Sequence, residues 1–202
     1  MTAAPALRDD ALAGLLGRRS VSPKRLVAPG PDAAALEAML QAALRAPDHG
    51  GLRPWRVIEF PAALRPALAD AFEQEKRRRD PMAPAEDLRR AREHAILPPV
   101  LLGFVVAPQP RSAVPVREQW LGAGAALGNL LNAAHQLGFG AIVLSGERCH
   151  DPVLLRTLGL RHHEYLAGFV SLGTVREAPP PARPASPRSV WSCWSPATAA
   201  ER

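Results

Sequence analysis

The chain has 202 residues, 47% of them hydrophobic and 22% charged, enough for one domain that buries roughly 70% of its unfolded surface without a disulfide or metal staple. Those proportions exclude a wholly disordered or collagen-like chain. The formal charge is +6, and 23 of the 25 basic residues are arginine, Lys24 and Lys76 being the others.

Residues 9–18 predict a helix with an acidic start and Leu12, Leu15 and Leu16 on one face. A loop follows from Ser20 to Pro31. Asp32 is placed to cap a second helix, whose Leu36, Met39, Leu40, Ala43 and Leu44 recur at helical spacing until Pro47 stops it. Residues 48–54 form a Gly/Pro loop into a short strand, Trp55–Phe60. Helical patterns resume over 62–79 and 85–95. Residues 70–93 carry seven basic and seven acidic groups, which predicts a solvated face laced with i,i+4 pairs. The densest basic run, Lys76–Arg79, is therefore cancelled locally. A nucleic-acid surface needs an uncompensated block, and this excess reads instead as arginine-rich background composition.

Pro99–Ala107 reads as a buried strand, Val116–Leu137 as a long helix, and Phe139–Leu144 as a second apolar strand. Asp151-Pro152 is a capped start for a helix of one or two turns, and Tyr165–Leu172 is the last clear strand. Beyond Ala178 come Pro179, Pro180, Pro181, Pro184 and Pro187, then Trp191 and Trp194. Strands separated by helices predict an α/β or α+β sheet domain over residues 1–178, followed by a Pro-rich arm over 179–202. Two cysteines, Cys149 and Cys193, fit a reducing cytosol. The start of the chain has Asp9 and Asp10 where a signal peptide needs an apolar core, and the run Ile96–Pro108 is too short to span a bilayer. The expectation is a cytoplasmic protein without a membrane or nucleic-acid partner.

Three stretches could carry chemistry. Arg18-Arg19-Ser20 offers two guanidiniums and a hydroxyl, a set suited to phosphate, although arginines also suit a helix C-terminus. Arg45-Ala46-Pro47-Asp48-His49 is either a loop presenting donors to a heteroaromatic ligand or a structural corner. From Leu121 to Gly146 runs a helix with glycine and alanine faces, then a turn at Gly138 and Gly140. Gly122-x-Gly124 is no dinucleotide fingerprint, because the third glycine falls at 128 and no strand precedes it. Cys149, His150, His162 and His163 match no zinc spacing. Ser145 sits in no nucleophile elbow, since position 143 is Val.

In their order, Arg18-Arg19-Ser20, then Arg45–His49 with Pro54-Trp55-Arg56, then Asn129-Leu130-Leu131 through Leu137-Gly138-Phe139-Gly140 resemble the nitroreductase family of flavin enzymes. The match is closest to its small NAD(P)H nitroreductases with an Ala-Pro-Asp-His segment, and it covers residues 11–175. The resemblance implies an α+β three-layer sandwich, a central mixed sheet flanked by helices, built as an intertwined homodimer with FMN at the subunit interface. It implies that Arg18, Arg19 and Ser20 hold the FMN phosphate and ribityl chain, and that Arg45 and His49 come from the other subunit. Val143, Leu144 and Ser145 would line the isoalloxazine. The segment Ala133, Ala134, His135, Gln136, Leu137 and Gly138 would meet NADH or NADPH.

The activity implied is a ping-pong transfer of hydride from NAD(P)H through FMN to a small nitroaromatic, quinone or similar acceptor, with no obligatory protein acid or base. This chain departs from many relatives in having Val143-Leu144 where an aromatic or charged wall stands, Arg53 before Pro-Trp, and Ser22 in place of a lysine. Those changes keep open a non-catalytic flavin-binding or sensing protein. A basic nucleic-acid module is the remote third reading.

Overall fold

The computed structural model describes residues 9–110, 112–182 and 185–195. In chain order the elements are helix α1 (Asp9–Gly17), strand β1 (Leu26–Val27), α2 (Ala33–Ala43), β2 (Trp55–Glu59), α3 (Arg65–Arg79), α4 (Ala85–Ile96), β3 (Val100–Val106), α5 (Val116–Gln136), β4 (Gly140–Leu144), α6 (Pro152–Thr157) and β5 (Tyr165–Val175). The helix starts obey their caps. Asp32 accepts the Ala35 N–H at 2.8 Å, and Asp151 accepts that of Leu154 at 2.6 Å. The two-residue β1 is too short to carry a period, and no sequence pattern announces it.

The sheet is centred on β5. Strand β3 pairs with it from Val100↔Leu172 to Val106↔Tyr165, and β4 pairs with it from Gly140↔Gly173 to Leu144↔Phe169. The other edge of β3 takes β2, from Trp55↔Val106 to Glu59↔Leu102, and β1 joins the end of β5 at Thr174 and Val175. All of these pairings are antiparallel. The mixed character comes from a parallel bridge between Ser20 and Ala141.

Helices cover both faces, which gives three layers and explains why β3 and β5 read as continuous apolar runs. On one side Met39 and Ala43 of α2 and Ala123, Ala126, Leu130 and Ala134 of α5 meet Leu102, Phe104 and Val106. On the other, Leu68 and Phe72 of α3 and Ala95 of α4 meet Leu101, Val105 and Phe169. The register shifts between Phe104 and Val105, whose partners are Gly168 and Leu166, so Ala167 is an extra residue. This bulge turns Leu166 toward the same core as Phe169. Among the described residues no helix is long and apolar enough to cross a membrane.

One buried charge anchors the turn before β5. Glu164 is 5% exposed, and its carboxylate accepts both prongs of the Arg56 fork, at 2.9 and 2.8 Å, plus the Arg161 N–H at 2.8 Å. The Arg56 hydrogen bonds, opposed by burial, hold its carboxyl down at about 2 against the ordinary 4.5. A depressed folded-state value means the stabilisation is complete above pH 4.5 and is lost as pH falls toward 2. The shift corresponds to about 2–3 kcal/mol after allowance for screening at the Arg56 side chain, 38% exposed. Denaturant titrations at pH 7 should find Glu164→Gln less stable by about that amount. The gap between variant and parent should close as pH drops from 4.5 to 2.

Candidate functional site

After α1 the chain turns along the free edge of β4. Ser20 bridges to Ala141, and the Val21 N–H donates to the Ala141 carbonyl at 3.0 Å. This close docking needs a glycine at 140. A Cβ there would lie 2.7 Å from the side chains of Leu26 and Val175 and 3.2 Å from Val21 Cβ. Gly140 therefore does more than finish the turn at Gly138, whose φ of +84° does require glycine.

The segment carries half-buried Arg18 and Arg19 and exposed Ser20. Among the described residues, neither arginine makes an ion pair. Next to it a short turn, Pro23–Arg25, is tied to the end of the sheet. Arg176 N–H donates to the Arg25 carbonyl at 2.9 Å, and its guanidinium donates to the Lys24 carbonyl at 3.0 Å. Arg176 thus joins the basic segment from 152 residues away, and local spacing gives no signal for it. Val143 and Leu144 are half-buried and Ser145 is exposed at the exit of β4.

Arg45 and His49 lie elsewhere. Both are exposed in the turn after α2, where Asp48 accepts the Arg53 N–H at 2.5 Å. His49 Nδ1 meets Glu118 Oε2 of α5 at 2.7 Å. At the opposite end of α5, His135 stands beside Gly17. From Glu118 to His135 the helix rises about 25 Å, so within one chain His49 stands far from the segment beside Gly17, while Ser20 lies beside Ala141, two residues before Val143. Of the segment 133–138, Ala134 is fully buried in the core and offers a ligand nothing. Gln136, Leu137 and Gly138 are exposed and His135 is half-buried.

Two cavities open beside the exit of β4. One, of about 220 Å³, lies beyond Leu144 and Ser145 and includes Phe72, His94, Arg148 and Cys149. The other, of about 260 Å³, lies between Ser22–Lys24 and the Arg90–His94 stretch of α4, so that His94 belongs to both. Burial pushes the Cys149 thiol above its ordinary value, which makes it a core residue rather than a nucleophile. His94 and Arg148 are absent from the sequence expectations, because a contact across 54 residues carries no local pattern.

A third feature is apolar. Leu15, Leu16 and Leu121 are 52%, 77% and 73% exposed, and a Cβ added at Gly124 or Gly128 of α5 would meet nothing within 4 Å. Trp191 and Trp194 of the arm are also exposed, at 73% and 87%. Pro184 and residues 196–202 of that arm lie outside the described residues.

Gly140→Ala should lower stability by about 1–3 kcal/mol in denaturant titration, through overpacking against Leu26 and Val175. Hydrogen exchange should rise most at the Val21 amide, whose partner is the Ala141 carbonyl.

The nitroreductase family model matches residues 15–174. A relative from Escherichia coli K12, named "Putative NAD(P)H nitroreductase YdjA", is 33% identical over 168 residues, 82% of this chain and 88% of that protein. The nitroreductase-like family protein from Bacillus cereus superposes with a TM-score of 0.78 at 20% identity, over 96% of this chain and 98% of that one. A nitroreductase from Desulfovibrio desulfuricans, solved in complex with FMN, superposes with a TM-score of 0.69 at 21% identity, over 92% and 98%.

Proposed function

Since the chain belongs to the nitroreductase family, we propose that it is an FMN-dependent NAD(P)H oxidoreductase, working as a homodimer in the cytoplasm. The observation that carries this is the pair Arg18 and Arg19, cations without a carboxylate partner among the described residues, beside the exposed hydroxyl of Ser20 on the edge of β4. Most arginines of α3 and α4 are tied to acids, as Arg77 is to Glu73 at 2.7 Å and Arg79 to Glu75 at 2.7 Å. Free forks held on a rigid edge fit a phosphate. The donor set therefore suits FMN, which was bound in the Desulfovibrio relative and which supplies hydride transfer when present.

Arg18, Arg19 and Ser20 hold the phosphate and ribityl chain. The backbone of Val143, Leu144 and Ser145 lines the ring. Arg45 and His49 arrive from a second copy, in keeping with the ~25 Å along α5 that separates His49 from the basic segment, and place a cation where negative charge accumulates. The second copy covers the exposed leucines and the open glycine face of α5, and the arm with Trp191 and Trp194 wraps it. NAD(P)H, meeting the accessible residues of the 133–138 segment, and a small nitroaromatic or quinone acceptor use the same slot in turn, in ping-pong order. The reduced nicotinamide comes to this chain from the name of its Escherichia coli relative.

The purified protein should be yellow, or take up added FMN, and should bleach when mixed anaerobically with NADH or NADPH. A colourless chain that binds no FMN would sink the reading, and a flavin that neither nucleotide bleaches would leave a binding protein rather than an enzyme. Arg18→Ala should weaken FMN retention by about 10–100-fold, the cost of a charged hydrogen bond. The composite site has its own test. Neither Arg18→Ala nor Arg45→Ala homodimers have an intact site, whereas unfolding and refolding an equal mixture should restore about a quarter of the sites by symmetry. No restored flavin binding or turnover in the mixture would mean that both arginines serve the same chain's site.

A further inference from the structure

The cavity beyond Ser145 has a chemistry of its own. Its cation is Arg148, whose side chain is only 14% exposed and whose guanidinium lies 4.1 Å from the centre of the Phe72 ring. Arg148 Nε donates to Glu75 Oε2 at 3.3 Å, and one Nη1 hydrogen reaches His94 Nδ1 at 3.4 Å. Among the described residues, its remaining N–H groups have no protein acceptor. The nearby acids do not fill that role. Glu75, 1% exposed, is held by the Arg79 fork at 2.7 and 3.4 Å, and Glu147 by the other prong of Arg79 at 3.0 Å. Two arginines therefore share one buried carboxylate.

Burial lowers the Arg148 pKa and Glu75 offsets only part of that, so a further anion would be welcome. His94 is held below the ordinary imidazole range by desolvation and by Arg148. Because a guanidinium can only donate, Nδ1 accepts from Arg148 and Nε2–H is left to donate. The apolar walls are Leu144 and the edge-to-face pair Phe72 and Phe169, 4.8 Å between centroids. The volume of about 220 Å³ is below the ~300 Å³ at which pockets for drug-sized molecules begin. It admits one ring and not a nucleotide.

We propose that this cavity binds a small aromatic carboxylate, its ring against Phe72 and Phe169 and its carboxylate on the free edge of Arg148, with His94 as the second donor. A planar fork matches a carboxylate in two parallel hydrogen bonds, and stacking on Phe72 fixes the fork in advance. Leu144 and Ser145 line the cavity and also the proposed flavin wall, so the occupant is an acidic electron acceptor or an acid that competes with one. That use rests on the flavin reading; the binding itself does not.

The test is calorimetric titration of the FMN-loaded full chain with benzoate and, as a neutral isostere, benzamide. Benzoate should bind at least 10-fold more tightly than benzamide, and Arg148→Met should weaken benzoate about 10–100-fold while leaving benzamide within 2-fold. Arg148→Lys should restore part of the loss, and His94→Leu, on the exposed side of α4, should weaken benzoate by several-fold in a chain with unchanged thermal unfolding. Equal affinity for the two probes, or benzoate binding indifferent to both Arg148→Met and His94→Leu, overturns the proposal. So does benzoate binding that occurs only without FMN, because the cavity would then be part of the flavin's own footprint. If the chain takes up no FMN yet binds benzoate through Arg148, the oxidoreductase reading fails and the site stands.

Discussion

Strand β5 is the constraint on which the rest of the molecule depends. It is paired with β3 and with β4, its end also holds β1, and Val170 and Leu172 are wholly buried. A strand covered on both faces and bonded along both edges cannot slip by one residue without exposing a whole row of apolar side chains. Its register therefore fixes β4, and β4 fixes the basic segment through the Ser20–Ala141 bridge. The closeness is enforced by glycine. A Cβ at Gly168 would stand 2.7 Å from Val143 and 3.1 Å from the Leu144 carbonyl, so the exit of β4 lies as near to β5 as backbone allows. The proposed flavin wall is thus an extension of the most fully paired part of the sheet.

Charge is partitioned along the same lines. Composition alone suggests a diffuse basic surface, with +6 over the chain. In the fold the arginines divide into two populations. Those of α3 and α4 are bound to neighbours, as with Arg92 to Asp70 and Glu73, and each exposed pair contributes little to stability. Glu75 differs, being buried and contacted by two arginines, so part of what the helical spacing presents as a solvated face is in fact a polar core beneath α3. Arg18, Arg19 and Arg45 belong to the other, without an ion pair among the described residues. Unpaired cations of this kind, held on structure and not on flexible tails, are suited to one compact anion and poorly suited to a polyanion.

The periodic elements are legible because their physics is local. Leu36, Met39, Leu40 and Ala43 repeat at 3.6 and form α2; the Asp151-Pro152 cap starts α6 where it should; the apolar runs become β3, β4 and β5 within a few residues of their sequence limits. Arg18–Ser20 and Arg45–His49 are legible as motifs, and their spacing in the chain says nothing of the distance between them in the fold. What stays hidden is whatever is made by contact across the chain: β1, the parallel bridge, Arg176 beside Lys24, and His94 beside Arg148. Each of these depends on the sheet having already set two remote segments side by side.

Helix α5 is the element on which the proposed two-chain site turns. Its inner face is alanine, with Ala123, Ala126 and Ala134 fully buried, and this lets α2 approach closely. Its outer face has Gly124 and Gly128 open to space, together with exposed Leu121. A helix thin on both sides gains little from facing water, and burying its outer face requires another surface of similar smoothness. The same helix holds His49 at one end through Glu118 and borders the basic segment at the other. If a second copy crosses α5 with two-fold symmetry, each chain's distant end is carried toward the other's basic segment, an isologous arrangement that yields two equivalent sites at once. On the proposed reading the small residues of α5 have a dual consequence: they permit the core on one side and assemble the site on the other. Site integrity is then tied to dimer stability, and flavin binding and self-association must strengthen one another by linkage.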